Sequence, residues 1–431
     1  MKKIIYILLV FCFTANGFAQ QTPASPQKEA ITIEGAVAHL GDGTVIENSL
    51  IMFEGGKITF VGDAKMKVAR KGQVIDAKGK HVYPGFIAAC TVLGLVEVDA
   101  VRASDDQAEI GGMIPHVRSL IAYNSESKVI ESMRPNGVLM AQIAPRGGVI
   151  PGTSSVVQLD AWNWEDAAVK TDEGIHLHWP SSYRRGRWWM GEPRGLQPNK
   201  TYKKDINSIV DFIVNAKAYN ETTAKPFHQE FAAMEGLFSG EQKMYVYADG
   251  EKEIIDAITT LKENKIKNVV LVGGYNAYKI TDFLKENNIP VLVRAMHNLP
   301  SNNDDDYDLP YKMAKLLTDK GLLVGIQNNG EANFQNRNLP FYAGHAVAYG
   351  MDKEAALQLI TSNTAKILGI DKTHGTLAVG KSATLFISEG DALEMRTNKL
   401  QKAFIDGRDV SLETHQTELY KRYMGKYNRG E

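Results

Sequence analysis

Residues 84–94 read PGFIAACTVLG, and this stretch decides how the remainder of the chain is interpreted. Its first two residues, proline and glycine, interrupt regular structure and therefore mark the start of a new element. The short apolar run behind them, Phe86–Ala89, is typical of a strand that is buried on both faces, as in a parallel sheet. A strand is therefore expected at Phe86–Ala89, and Cys90 and Val92 follow it directly.

Strand-like and helix-like segments alternate through the rest of the chain. The predicted strands are Phe86–Ala89, Val138–Ile143, Ser155–Leu159, Ile175–His178, Met244–Tyr247, Val269–Val272, Pro290–Val293 and Leu322–Ile326. The predicted helices around the last four strands are Glu253–Glu263, Tyr278–Glu286, Tyr311–Lys320 and Lys353–Ile360. This alternation favours a parallel sheet, and eight strands predict a TIM-like (β/α)8 barrel. In such a barrel the chemistry lies at the C-terminal ends of the strands.

The N-terminus has the composition of a cleaved signal peptide at residues 1–19. Two lysines precede an apolar run, Ile4–Phe13, which is too short to span a bilayer and is followed by the small residue Ala19. Residues 20–30 are polar and read as a linker. The pattern predicts a periplasmic or secreted protein, cleaved near Ala19, that keeps Cys90 as its one cysteine and forms no internal disulfide.

The composition argues against nucleic-acid binding and against a transmembrane segment. The formal net charge of −1 offers no concentrated basic surface, so nucleic-acid binding is not expected. After the signal peptide no segment has 18 uninterrupted apolar residues, so no membrane span is expected either.

The stretch at 84–94 resembles the opening strand of the metal-dependent amidohydrolase superfamily, in particular its imidazolonepropionase-like branch. Residues 343–368 resemble that family's late helical stretch, and 375–385 resembles its C-terminal signature, with Thr384 in place of an aspartate. The resemblance implies a barrel at 85–371 beside a small β-sandwich, built from residues 31–84 and 372–412. An insert is expected at 160–200 and a tail at 413–431.

The resemblance also implies a zinc site, and this chain departs from it at each ligand position. The positions of the two histidines after strand one, the histidines after strands five and six, and the aspartate after strand eight are held by Cys90, Val92, Tyr247, Gly273 and Asn329. A lysine found near strand four in some branches corresponds to Gln158. Catalytic zinc normally has three protein ligands plus water. We therefore predict no cofactor, although the resemblance to the family implies zinc.

Other polar residues fall near predicted strand ends. Asp249, His297, Asn328 and Gln158 are candidate ligand-binding residues. His176 and His178 would face the same side of a strand, as a metal pair does, but no third ligand stands at an obvious spacing. Ordinary surface or loop packing is therefore the expected role of this pair, and metal binding is the alternative.

All five tryptophans lie within 160–200, with four arginines among them. Aromatic and arginine side chains are enriched in binding hot spots. Packing of this segment on its own barrel, a partner interface and a ligand platform all remain open.

Two functions follow from the resemblance. The first is a secreted pseudoenzyme that binds or assembles without catalysis, as a homo-oligomer or with a related amidohydrolase subunit, and that could take a small-molecule or peptide ligand. The alternative is an active hydrolase of C–N bonds other than peptide bonds, imidazolonepropionase-like or dipeptidase-like, which uses a non-standard site. Fold alone does not decide between them.

Overall fold

The computed structural model describes residues 22–223, 226–328 and 333–427. The predicted signal peptide at 1–19 and the predicted site position Asn329 lie outside the described residues. Within the described ranges, no helix is long and apolar enough to cross a membrane.

The strands fall into three groups along the chain. Before the barrel come β1 (Ile31–Glu34), β2 (Val37–His39), β3 (Val45–Ile46), β4 (Ser49–Glu54), β5 (Lys57–Asp63), β6 (Gln73–Asp76) and β7 (His81–Pro84). The barrel region holds β8 (Phe86–Thr91), β9 (Val138–Ile143), β10 (Gly152–Gln158), β11 (Ala168–His178), β12 (Tyr183–Arg185), β13 (Leu196–Pro198), β14 (Lys243–Ala248), β15 (Val269–Gly273), β16 (Val291–Arg294) and β17 (Val324–Gln327). The C-terminal strands are β18 (Leu385–Ser388), β19 (Leu400–Ile405) and β20 (Arg408–Val410).

The helices lie mostly between and after the barrel strands. They are α1 (Lys128–Glu131), α2 (Trp164–Ala167), α3 (Tyr202–Glu221), α4 (Gln229–Ala232), α5 (Glu235–Ser239), α6 (Glu251–Glu263), α7 (Thr281–Glu286), α8 (Leu309–Asp319), α9 (Leu339–Ala348), α10 (Lys353–Gln358), α11 (Ser362–Leu368) and α12 (His415–Lys426). The predicted tail at 413–431 therefore begins with a helix, α12, which a Thr414 capping box starts.

Eight strands close into a barrel in the order β8, β9, β10, β11, β14, β15, β16, β17 and back to β8. Each overlaps one of the eight predicted strands. The interior is filled by alternate apolar side chains such as Ile87, Met140, Val272 and Leu292, because successive residues of a strand point to opposite faces.

One barrel strand runs against the prediction. β10 is antiparallel to both of its neighbours, β9 and β11, so the all-parallel (β/α)8 arrangement is wrong at this strand. The link 144–151 carries no helix, and a parallel crossover needs about a dozen residues or more. The short link therefore turns the chain back as a hairpin. As a consequence, the N-terminal end of β10 lies at the end of the barrel where the other strands finish.

The two ends of the chain pair outside the barrel. One sheet has the order β5-β4-β1-β6, and the other has the order β20-β19-β18-β7-β2-β3. Strand β18 is antiparallel to β7, and one apolar cluster takes Ile33 and Phe53 from the first sheet together with Leu385 and Phe404 from the second. The sandwich over 31–84 and 372–412, with those bounds, stays a prediction.

The predicted insert at 160–200 is not one loop. Its first half contains β11, a barrel strand that begins at Ala168. Its second half carries the small antiparallel hairpin of β12 and β13. Trp179, which follows β11, is buried, whereas Trp162, Trp188 and Trp189 are exposed.

Candidate functional site

Seven parallel barrel strands finish at one face, which we call the barrel mouth. It is formed by the strand ends that carry Cys90, His178, Tyr247, Gly273 and Asn328. The register places His178 beside Tyr247, and the backbone N–H of Asn328 donates to the Ala89 carbonyl at 3.1 Å, next to Cys90. The structure thus brings four of the predicted positions, Cys90, Tyr247, Gly273 and Asn328, to this face.

Val92 does not join them. Cys90 has a φ of 54°, which is rare for a residue other than glycine, and this conformation interrupts the alternation of the strand. Cys90 therefore stays inside the barrel next to Ala89, whereas Val92 packs in the apolar core between the strands and the helices. Placing Val92 in the mouth was wrong because the prediction assumed regular alternation.

Three groups form a hydrogen-bonded chain at the base of the mouth. Nδ1 of His176 lies 2.9 Å from the Tyr247 hydroxyl, and the same hydroxyl interacts with the Cys90 thiol. Burial raises the pKa of Cys90 to about 12 and raises that of Tyr247 well above its usual value of 10. Both groups therefore keep their protons near neutral pH. A Tyr247 O–H that donates to Nδ1 leaves the His176 proton on Nε2.

The histidine pair was seen in the sequence but given to packing. His176 and His178 both face the mouth, where His178 stacks on the Tyr247 ring with centroids 4.4 Å apart. Burial lowers the pKa of His176 to about 3, and burial together with the charge of Arg146 lowers that of His178. Nε2 of each ring is buried and has no hydrogen-bond partner within the described ranges.

A second polar group lies deeper in the barrel, and we call it the Glu173 layer. The buried Glu173 carboxylate accepts from Ser154 Oγ at 2.7 Å, from Tyr245 O–H at 2.8 Å and from the Gln142 side-chain amide. Gln142 also accepts from the Cys90 backbone N–H at 2.9 Å. Desolvation raises the pKa of Glu173, and its hydrogen bonds oppose that shift. The layer ties β9, β10, β11 and β14 together beneath the mouth.

At the ligand position after the sixth strand, Gly273 has no side chain, and Asp249 fills the space that one would need. The φ of Gly273 is 90°, and a Cβ placed on it would lie 2.7 Å from Oδ1 of Asp249. That Asp249 carboxylate accepts from Arg294 Nη2 at 3.0 Å and from the Tyr275 backbone N–H at 3.2 Å. Asp249 therefore forms an ion pair at the rim of the mouth, and a side chain at position 273 would displace it.

Arg146 was missed by the sequence interpretation. It follows β9 in the irregular link, and its charge acts on Cys90, Tyr247 and His178. Its Nε is buried and has no hydrogen-bond partner in the part of the chain that the structure describes. No motif marks this arginine, although the sequence PRGG after a predicted strand does place it at a strand end.

Two other candidate residues lie elsewhere. Because β10 runs backwards, Gln158 is at the far end of the barrel from the mouth, where it contacts Asp160 and Arg408, so its assignment to the site was wrong. His297 follows β16 as expected, but its side chain is exposed and contacts His345 at 3.2 Å. Asn328 is 1% exposed, and neither atom of its side-chain amide has a partner among the residues described.

A cavity of about 300 Å³ opens at the mouth. His178, Tyr247 and Gln327 line it, together with the rim pair of Asp249 and Arg294. This volume is at the lower end of what small-molecule sites occupy.

The residues present do not fit the zinc centre that the resemblance implies. Zinc would have to displace protons from a thiol and a phenol whose pKa values burial raises, Gly273 has no side chain, and Val92 lies outside the mouth. Within 22–223, 226–328 and 333–427, no group of three or more His, Cys, Asp or Glu side chains is arranged to hold a metal ion. Arg146 adds a fixed positive charge, which repels a divalent cation.

The β12–β13 hairpin presents aromatic and basic side chains to solvent. Trp188 and Trp189 are 59% and 69% exposed, and the guanidinium of Arg194 lies 5.2 Å from the Trp188 ring centre. Together with the loop 301–304, the hairpin encloses a concavity of about 980 Å³. These two tryptophans do not pack on their own barrel, so that alternative is wrong for them.

The chain is similar to proteins of one superfamily. The amidohydrolase family model matches residues 216–412. Two relatives are adenine deaminases of Clostridium botulinum, from strain 657 / Type Ba4 (22% identical) and strain Loch Maree / Type A3 (36% identical); each alignment covers 92% of this chain and 59% of the relative. The chain thus spans about three-fifths of the length of these relatives.

Solved structures show the same fold at low identity. An amidohydrolase from Thermotoga maritima MSB8 superposes with a TM-score of 0.78 at 23% identity, over 88% of this chain and 99% of that one. A Xaa-Pro dipeptidase with bound methionine in its active site gives a TM-score of 0.55 at 14% identity, over 89% of this chain and 100% of that one.

Proposed function

Because the chain carries an amidohydrolase family domain and the fold of that superfamily, we propose that it binds a small molecule in the barrel mouth without metal-dependent hydrolysis. The observation that carries the proposal is the set of groups at the ligand positions. They are a protonated thiol, a protonated phenol and a glycine whose side-chain space is held by Asp249. A zinc-bound water reaches a pKa of about 7 against 15.7 in bulk, and this set of groups offers no equivalent activation.

Hydrolysis without a metal would need another nucleophile or base, and the mouth is poorly supplied with both. Cys90, with a pKa of about 12, is almost entirely thiol near neutral pH. His176, with a pKa of about 3, is too weak a base to take a proton efficiently from water. Binding without turnover is therefore the function that these groups support best.

The test is a direct assay of the purified chain. Dipeptides, cyclic amides and adenine are incubated with the protein before and after dialysis against zinc, and the products are separated by chromatography. We expect no turnover in either condition. Turnover that appears with zinc and disappears with a chelator would contradict the proposal.

A second candidate is a C–N bond hydrolase that uses the Cys90–Tyr247–His176 chain of hydrogen bonds. Two observations favour it: that chain itself, and the fact that the similar proteins include deaminases and a dipeptidase by name. Activity that survives chelation but is lost in Tyr247→Phe and Cys90→Ala would support it. Activity left unchanged by those variants and by Asp249→Ala would count against it.

Assembly with a second copy, or with a related amidohydrolase subunit, remains part of the proposal. The feature that supports it is the exposed pair Trp188 and Trp189, since aromatic side chains are enriched in protein interfaces. Light scattering on a size-exclusion column would show a mass above that of one chain, and Trp188→Ser with Trp189→Ser would reduce it. If the protein is a monomer at all concentrations tested, the homo-oligomer hypothesis is wrong.

Secretion is likewise proposed, from residues 1–19. Sequencing the N-terminus of the protein recovered from a periplasmic extract should give a start near Gln20. An intact N-terminal Met1 in the cytoplasmic fraction would contradict it.

A further inference from the structure

We propose that the barrel mouth recognises the carboxylate of its ligand, which it holds between Arg146 and the pair His176 and His178. This inference rests on the proposed binding function and names the chemistry of the ligand.

Arg146 is a cation without a matching anion. Its hydrogen bond to the Gln107 side chain is long, at 3.4 Å, and Gln107 is neutral. The charges of Asp99 and Asp105 favour its protonated form, but within the described residues neither carboxylate forms an ion pair with it. A guanidinium stays protonated throughout the physiological range, and its planar fork matches a carboxylate. Its buried Nε therefore lacks the acceptor that such a group needs.

The two histidines add donors on the same side. The Tyr247 hydroxyl lies 2.9 Å from Nδ1 of His176, and the proposal requires that this hydroxyl donates, which places the His176 proton on Nε2. His178 lies two residues further along β11, and its backbone N–H donates to the Val149 carbonyl, on the link that carries Arg146. Its Nε2 is also buried without a partner in the described ranges. Three nitrogen atoms, two on β11 and one on the link after β9, are thus buried without a hydrogen-bond partner among the described residues.

The charge balance selects a monoanion. Arg146 supplies one full positive charge, whereas the histidines, Tyr247 and Cys90 are all neutral. A carboxylate compensates the guanidinium, and a doubly charged phosphate would leave negative charge in a buried site. A divalent cation would instead meet Arg146 with the same sign of charge.

The cavity can hold the rest of such a molecule. Of the groups discussed here, His178 and Tyr247 line it, as do Asp249 and Arg294, which form an ion pair with each other. A small acid would thus direct its carboxylate inward and its polar remainder toward the rim.

The experiment compares two probes that differ in one group. N-acetylglycine carries the carboxylate, and N-acetylglycinamide replaces it with a neutral amide. Each is titrated into the full chain while the histidine ring protons are followed by NMR, with His176→Asn and His178→Asn used to assign the signals. We expect N-acetylglycine to shift both rings and raise the pKa of His178, since a nearby anion favours the imidazolium. N-acetylglycinamide should do neither.

The arginine variants sharpen the test. Arg146→Met should weaken N-acetylglycine binding by about 30-fold or more, because a buried charge-assisted pair is lost. Arg146→Lys keeps the positive charge but lacks the planar guanidinium. Its affinity for N-acetylglycine should therefore lie between the affinities of Arg146→Met and the native chain. Arg70→Met, which alters an exposed arginine paired with Glu34 in an N-terminal sheet, should bind like the native chain. If Arg146→Met does not fold, the two-probe comparison on the native chain still decides the question.

Three results would overturn the inference: equal response to both probes, no response to N-acetylglycine, or tighter binding of inorganic phosphate. These differ from failure of the proposed function, which would be seen as zinc-dependent turnover. If the protein hydrolyses none of the dipeptides, cyclic amides and adenine, and also does not respond to N-acetylglycine, the proposed binding function stands and the carboxylate proposal is wrong.

Discussion

The Glu173 layer and the barrel mouth lie one above the other in the same barrel, yet they treat polar groups in opposite ways. In the layer, both oxygens of Glu173 accept hydrogen bonds, and the Gln142 amide has partners on both of its ends. In the mouth, nitrogen atoms of Arg146, His176 and His178 are buried without acceptors among the described residues. A protein that folds for stability alone satisfies its buried polar groups.

The difference separates structure from function within one pocket. The Glu173 layer holds the strands together where the barrel has room for polar side chains. The mouth carries unsatisfied groups, which lower stability and persist at sites that bind a ligand. Removing a polar group from the layer should therefore destabilise the protein, and removing one from the mouth should not.

The largest effect is expected from Glu173→Ala. The change removes the carboxylate to which Ser154, Gln142 and Tyr245 donate, leaves the buried Tyr245 hydroxyl without an acceptor and opens a cavity. The free energy of unfolding should therefore fall by about 3–5 kcal/mol. Denaturant titration measures it, and Glu165→Ala, at an exposed position, should change it by less than about 0.5 kcal/mol. A loss below 1 kcal/mol for Glu173→Ala would show that the layer is not a structural element.

The pH dependence of stability should carry opposite signs in the two regions. His176 has a folded pKa of about 3, below its usual 6.5, so the unfolded chain binds a proton that the folded chain does not. The contribution of the neutral His176 to the free energy of unfolding is complete above pH 6.5. It is lost as the pH falls toward 3, by up to about 1.4 kcal/mol per pH unit. Glu173 has a raised pKa, so its contribution falls as the pH rises above 4.5.

Unfolding curves at several pH values would resolve these slopes. In His176→Asn, the free energy of unfolding should depend less steeply on pH on the acid side. His178, whose pKa is also lowered, contributes in the same direction. In Glu173→Gln, the free energy of unfolding should fall less as the pH rises. The rings that face His176, those of Tyr245 and Tyr247, stay protonated over this range. An unchanged acid slope in His176→Asn would mean that this imidazole titrates normally.

Arg146→Met should make the protein more stable. It replaces a half-buried cation that has no ion-pair partner among the described residues by an apolar side chain, and we expect a gain of about 1 kcal/mol in the free energy of unfolding. Differential scanning calorimetry would detect it, with Arg70→Met as the exposed control. Marked destabilisation would show that Arg146 already has a structural partner and would weaken the division between the two regions.

The smallest effect is expected at the β12–β13 hairpin. Trp188 and Trp189 are exposed, so Trp188→Ser with Trp189→Ser should leave the free energy of unfolding within about 0.5 kcal/mol. A larger loss in dilute solution would mean that these rings pack on the barrel.

The positions of the strands could be predicted from the sequence because buried strands leave a plain apolar signal, as at Val138–Ile143. The direction of β10 could not be read from its residues, since strand direction leaves no mark in composition. The short, helix-free link at 144–151 was the available signal, because it cannot form a parallel crossover.

The site was only partly predictable. Tyr247 and Gly273 reach the mouth because they end regular strands. Val92 does not, because the left-handed φ of Cys90 turns the chain, and a backbone conformation of this kind is invisible in the sequence. Arg146 belongs to no motif and gains its meaning only from the groups that surround it.

Elemental analysis of the chain, purified under native conditions without chelators, tests the central claim most directly. A mouth built around Arg146 and protonated Cys90 and Tyr247 predicts far less than one transition-metal ion per chain, before and after dialysis against zinc. One zinc ion held per chain, and lost in Tyr247→Phe or His178→Asn, would contradict the account.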